Sequence, residues 1–93
     1  MSNAMVVNDK DNVAVVLENI IAGSVVDYVF HGEKYTIVAA NDIQIYHKIA
    51  LRDIAEGQPV VKYGEKLGVA IKPITLGQHV HVHNLDSERE DIK

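Results

Sequence analysis

Leu17-Glu18-Asn19-Ile20-Ile21-Ala22-Gly23-Ser24-Val25-Val26 is the stretch on which the fold turns. Its skeleton, Leu17-x-x-Ile20-x-x-Gly23-x-x-Val26, returns as Leu51-x-x-Ile54-x-x-Gly57-x-x-Val60 and again as Ile71-x-x-Ile74-x-x-Gly77-x-x-Val80. Each copy begins where one apolar run ends and finishes where the next begins. The pattern suits a strand that exits into a single tight turn. The central Ile plugs the core, Gly takes a positive φ that a side chain resists, and the chain re-enters as a strand. Three such corners specify a compact body of short strands bent back by one recurring device. The copies are too unevenly spaced for a solenoid. In a chain rich in Val, Ile and Gly, chance recurrence is the competing explanation.

Outward from the corners, apolar residues recur at intervals of two or in short β-branched runs. Residues 13–17, 25–30, 35–38, 45–51, 60–63, 69–71 and 80–83 read as strands. His31-Gly32-Glu33-Lys34 reads as a four-residue hairpin connection, and the stretch from Tyr63 to Gly68 as a second tight reversal. No window of about ten residues carries a helical period. Asn41-Asp42-Ile43-Gln44 reads as one short turn of helix or as a loop. The expected fold class is all-β. Met1-Ser2-Asn3-Ala4 reads as an expression-tag remnant before a native start at Met5, and is set aside from the fold. The domain is expected over 5–85, and the polar, aperiodic 86–93 as a tail or the start of a linker.

A length of 93 residues allows one small domain with a limited core, which association with a partner or a second copy would help. The absence of cysteine excludes a disulfide framework, a zinc ribbon and a thiol nucleophile, and suits a cytoplasmic address. A formal charge of -4 with no Lys/Arg cluster argues against nucleic-acid binding. The apolar runs are too short to span a membrane. No P-loop, dinucleotide fingerprint or EF-hand loop is present.

The chemical signal lies in the histidines. In a strand, His79-Val80-His81-Val82-His83 puts three imidazoles on one face, neighbouring ones spaced so that two can converge on a metal or an anion, with Val80 and Val82 turned to the core. A solvent-facing strand edge that happens to use His is the alternative. Asn84 follows, able to hold a ring or a ligand oxygen. His47 and Lys48 stand together at the mouth of a strand, where they suit a carboxylate-bearing substrate or acid–base work. Adjacent strand residues face opposite ways, so both line one site only if the backbone bends; otherwise they are an exposed loop pair. Lys62, Lys66 and Lys72 read as solvated.

Taken together, Asp11-Asn12-Val13-Ala14-Val15, His47-Lys48-Ile49-Ala50-Leu51-Arg52-Asp53-Ile54, Val61-Lys62-Tyr63-Gly64-Glu65, Leu67-Gly68-Val69-Ala70 and His79-Val80-His81-Val82-His83-Asn84 resemble the SAF domain of the altronate dehydratase (UxaA) family. The resemblance covers roughly Val7 to Leu85. It implies a β-clip fold and a role as the N-terminal domain or separate small subunit of a lyase, as in (2R)-sulfolactate sulfo-lyase. Such enzymes eliminate water or sulfite from a 2-hydroxy acid. It further implies His47 and Lys48 as catalytic residues, Asn12, Arg52 and Asn84 at the substrate, and His79, His81 and His83 as metal ligands. The implied metal is Fe²⁺ or Mn²⁺, at a site finished by a large catalytic subunit. A stand-alone carbohydrate-binding or regulatory module is the alternative. One departure stands out: the family carries Gly before its His-Lys pair, where this chain has Tyr46.

Overall fold

The computed structural model describes residues 2–86. Among these residues nine strands run in chain order: β1 (Ala4–Met5), β2 (Val13–Val16), β3 (Val25–Phe30), β4 (Glu33–Val38), β5 (Lys48–Ala50), β6 (Pro59–Lys62), β7 (Glu65–Ala70), β8 (His79–Val80) and β9 (Leu85–Asp86). All pairings are antiparallel, in a central sheet β1-β2-β5-β8, a hairpin β3-β4 and a three-stranded sheet β6-β7-β9. The all-β expectation holds. Among the described residues no helix is long and apolar enough to cross a membrane.

The corners form as expected, and there are four of them. The fourth, Ala40-x-x-Ile43-x-x-Tyr46-x-x-Ile49, escaped the sequence reading because Ala40 stands where the others have Leu or Ile, Tyr46 where they have Gly and Ile49 where they have Val. In chain order we number them corner 1 (17–25), corner 2 (40–48), corner 3 (51–59) and corner 4 (71–79). Residues 41–44, read as a helical turn or loop, are the second of these corners. They dock in pairs through their central isoleucines. Ile20 and Ile43 exchange both backbone hydrogen bonds at 2.8 and 2.9 Å, and Ile54 and Ile74 do so at 2.8 Å each. All four side chains are buried. Polar side chains bind one corner to its mate: Ala22 N–H donates to Asp42 Oδ1, Ile45 N–H to Asn19 Oδ1 and Leu76 N–H to Asp53 Oδ1.

The chain is therefore corner–hairpin–corner built twice, with β5 as the joint. β3 and β4 are joined by His31-Gly32 and β6 and β7 by Tyr63-Gly64. All four of these residues have positive φ, between 53° and 79°, which is the type I′ geometry that follows the twist of a hairpin. The first connection is thus two residues long, since Phe30 pairs with Glu33.

Each half has its own core. Ala14, Val16, Ile20, Val26, Ile37, Ile43 and Ile49 pack in one cluster; Val13, Ala50, Ile54, Val60, Ile74, Val80 and Leu85 pack in the other. Neighbouring residues of β2 and β5 go to opposite clusters, as the period of two requires. This explains why β2 reads as a continuous run of apolar residues: it is buried on both faces. Buried Asp11 closes the rest. Its carboxylate accepts hydrogen bonds from the N–H groups of Val7, Asn8 and Gly64, so it ties the entry loop to the β6–β7 turn.

Three expectations are corrected. The opening segment set aside from the fold belongs to it: Ala4 is buried and pairs with Val16, and Asn3 bonds to Asp27 and Leu17. Asp86, assigned to the tail, pairs with Val69 in β9, while 87–93 lie outside the described residues. The strand expected over 80–83 ends at Val80, because the chain turns over 81–84. Val82 is consequently 67% exposed rather than in the core.

Candidate functional site

At corners 1, 3 and 4 the residue after the glycine spends its side chain on its own turn. Ser24 Oγ donates to the Ile21 carbonyl, Gln58 Oε1 accepts from Ala55 N–H at 2.8 Å, and Gln78 Oε1 accepts from Thr75 N–H at 2.9 Å. His47 holds this position in corner 2. The backbone is unchanged there: His47 N–H donates to the Gln44 carbonyl, Tyr46 N–H to the Val16 carbonyl, and Val16 N–H to the His47 carbonyl. Tyr46 adopts φ +72° where Gly23, Gly57 and Gly77 have +86° to +91°. So the bend forms without glycine. The imidazole, released from capping, turns to the neighbouring strand.

That strand is β8. Register sets Ile49 opposite His79 and Lys48 opposite Val80, so alternation places His47 on the His79 face. His47 Nδ1 lies 3.0 Å from His79 Nε2. The turn after β8 folds His81 and His83 back toward the same place. Buried Asn84 holds that turn. Its Oδ1 accepts from His81 N–H, its Nδ2 donates to the His79 carbonyl, and its own N–H donates to the His81 carbonyl. The His47 and His81 rings stack with centroids 4.1 Å apart, and His83 tilts against His79 at 5.1 Å. Four imidazoles thus gather from two elements far apart in sequence.

One nitrogen from each of His47, His79 and His81 lies within 4.8 Å of the other two. His83 stands outside this triad. The expected ligand set was His79, His81 and His83, on the argument of one continuous strand. With the strand ended at Val80, the three nitrogens that come together are those of His47, His79 and His81. Burial, and then the neighbouring charges of His83, His47, His81 and Lys48, push the pKa of His79 down to about 4. His79 is accordingly neutral near pH 7, the form that can accept a hydrogen bond or donate a lone pair. His79 also forms the ridge between two clefts. One, of about 460 Å³, is lined by Lys72, Gln78 and His83; the other, of about 510 Å³, by Ile20, Ile43 and Asp42.

The remaining residues divide. Lys48 opens β5 between Val15 and Val80, and its charge reaches His79. Asn84 is at the site, as the holder of the turn. Asn12 is occupied elsewhere: its Nδ2 donates to the Pro59 carbonyl and its Oδ1 accepts from Val61 N–H, which pins β6. Arg52 lines a third cleft of about 160 Å³ with Tyr28 and Tyr35, sharing no lining residue with the two at His79. Sequence reading missed Asn41, Gln78 and Lys72 beside the histidines. His47, named from the sequence as a catalytic candidate, had a positional signal as well: allow Ala, Tyr and Ile at the first, third and last pattern positions and corner 2 declares itself.

Comparison with known proteins places this architecture. The family model for the altronate/galactarate dehydratase SAF domain matches residues 2–88. The chain is 36% identical over 93 residues to altronate dehydratase of Bacillus subtilis (strain 168), a match covering 100% of this chain and 18% of that protein. It is 39% identical over 82 residues to altronate dehydratase of Escherichia coli (strain K12), covering 88% of this chain and 16% of that one. It is 38% identical over 93 residues to (2R)-sulfolactate sulfo-lyase subunit alpha of Chromohalobacter salexigens, covering 96% of this chain and 99% of that subunit. The chain thus spans less than a fifth of each dehydratase and nearly all of the sulfo-lyase subunit.

Proposed function

The chain belongs to the altronate/galactarate dehydratase SAF-domain family, and from that premise we propose that it is the accessory part of a lyase. In this reading it lends imidazoles to a site that a large catalytic subunit completes, and the substrate is a small 2-hydroxy acid that loses water or sulfite. The observation that carries the proposal is the convergence of His47 with His79, His81 and His83. Corner 2 gives up both its glycine and its capping side chain to bring this about. The likeness to (2R)-sulfolactate sulfo-lyase subunit alpha, named as one subunit of its enzyme, supports the accessory role.

Removing a proton α to a carboxylate builds negative charge that water stabilises poorly, so an electrophile must face it. The donor set fits a divalent ion. Two nitrogens bound to one ion at about 2.1 Å sit roughly 3.0–3.4 Å apart, and those of His47 and His79 are 3.0 Å apart. His47, His79 and His81 would hold Fe²⁺ or Mn²⁺, with oxygen ligands from substrate and partner completing the shell. Bound there, the ion would supply Lewis-acid stabilisation of the developing charge. His83, outside the triad but against His79, is placed to carry a proton, and Lys48 adds positive charge nearby.

The test is reconstitution. The chain is mixed with its large subunit, and release of water or sulfite is followed on altronate and sulfolactate. His47→Gln inserts the side chain that corners 3 and 4 carry at this position, so the fold should persist while activity drops about a hundredfold or more. Full activity in an assembled His47→Gln complex would remove the role. Tight sugar binding by the chain with no large subunit associating would establish a stand-alone binding module instead.

A further inference from the structure

Three clefts differ in charge. The Arg52 cleft also holds Asp9 and Asp11, and the Ile20–Ile43 cleft holds Asp42. Among the described residues the cleft lined by Lys72 contains no carboxylate, on a chain whose formal charge is -4. The repeat explains why. The third position of each corner is Asn19, Asp42 and Asp53 in turn, but Pro73 in corner 4, so the polar or acidic side chain found in the other three is missing beside Lys72. Two amides face the same cleft with their oxygens already taken. Asn41 Oδ1 accepts from His79 N–H at 3.0 Å, and Gln78 Oε1 accepts from Thr75 N–H. Their NH₂ groups remain as donors. An ammonium, two amide donors and the rings of His79 and His83 therefore line one polar cleft beside the triad.

We propose that this cleft is an anion subsite that takes the carboxylate or sulfonate of a small hydroxy acid, with Lys72 as counter-charge. The inference rests on the functional reading above and deepens it. The anionic end lies toward Lys72, because Asp42 on the far side of His79 repels it, and the rest of the molecule passes the imidazoles.

The test is an amide-resolved NMR titration of the full chain with D-gluconate, with 2-hydroxyethanesulfonate and with uncharged sorbitol. The two anions should move the side-chain signals of Asn41 and Gln78 and the backbone signal of His79, saturating in the millimolar range, and sorbitol should not. Saturation by one anion alone would still support the subsite and name its headgroup. Lys72→Met should weaken binding about fivefold, the worth of one exposed charge contact. Lys72→Arg should preserve it, and Lys10→Met should leave it unchanged. Equal binding by Lys72→Met, equal shifts with sorbitol, shifts centred on Arg52, or no saturable shift would each overturn the proposal. No large subunit is present in this titration. Its failure removes the subsite and leaves the reconstitution test standing, whereas failed reconstitution with a saturable, Lys72-dependent titration removes the lyase reading alone.

Discussion

Corner 3 and corner 2 share a backbone and differ in what they do with it. In corner 3, Gly57 takes φ +86° and Gln58 caps Ala55, so the side chain after the glycine serves the turn. In corner 2, Tyr46 takes φ +72° and is 69% exposed as a residue, and His47 reaches across to His79. A left-handed angle costs a residue with a Cβ about 1–2 kcal/mol, and an exposed ring recovers little of that by packing. The fold could have used Gly-Gln at all four corners. That it does not at the corner leading into β5, the strand paired with β8, marks corner 2 as a place where local stability has been given up for the imidazole cluster.

The equivalence of the corners meets its hardest trial in their isoleucines. Ile20, Ile43, Ile54 and Ile74 are buried alike, so each Ile→Ala variant should lose about 2–5 kcal/mol in chemical denaturation. Ile43→Ala costing far less than the other three would mean that corner 2 is not a structural equal. The glycines should separate next. A Cβ at Gly77 would meet the Val38 carbonyl oxygen at 2.4 Å, while at Gly57 it would meet nothing within 4 Å. Gly57→Ala should therefore cost only the left-handed strain, about 1–2 kcal/mol, and Gly77→Ala clearly more. Equal losses would show that the close approach of corner 4 to Val38 is not rigid.

Acid probes the half that holds the cluster. His79 has its pKa lowered from 6.5 to about 4 in the fold, so between those values the unfolded chain binds the extra proton. Stability should hold above pH 6.5 and fall as the pH drops from there toward 4. Thermal melts of the metal-free chain should show this slope, and His79→Gln should flatten it. A smaller effect is expected at Tyr46: Tyr46→Gly should stabilise the chain by up to about 1 kcal/mol and leave the histidine ring contacts in place. Loss of stability would give the exposed ring a packing role.

Much of this molecule was legible because it is built from local rules. Alternation located β2, β3 and β6 within a residue or two, and the corner pattern placed three buried isoleucines without reference to any partner strand. The short ends were not legible. β1, β8 and β9 are two residues each, too short for a period to show. Reading 80–83 as a strand followed from alternation alone, and it failed because the buried Asn84 amide stabilises a turn instead.

By itself the sequence determined the strand class, the recurring corner and the residues capable of chemistry, since each depends on neighbours within about ten positions. Tertiary structure alone decided which of those residues meet. His47 and His79 stand 32 positions apart, and nothing local signals their pairing; it arises from the register of β5 against β8 and the left-handed turn at Tyr46. The same docking of distant segments bound Asn12 to β6, left Arg52 on a different cleft and set Lys72 beside the cluster, because register and packing across the sheet are long-range properties of the folded chain.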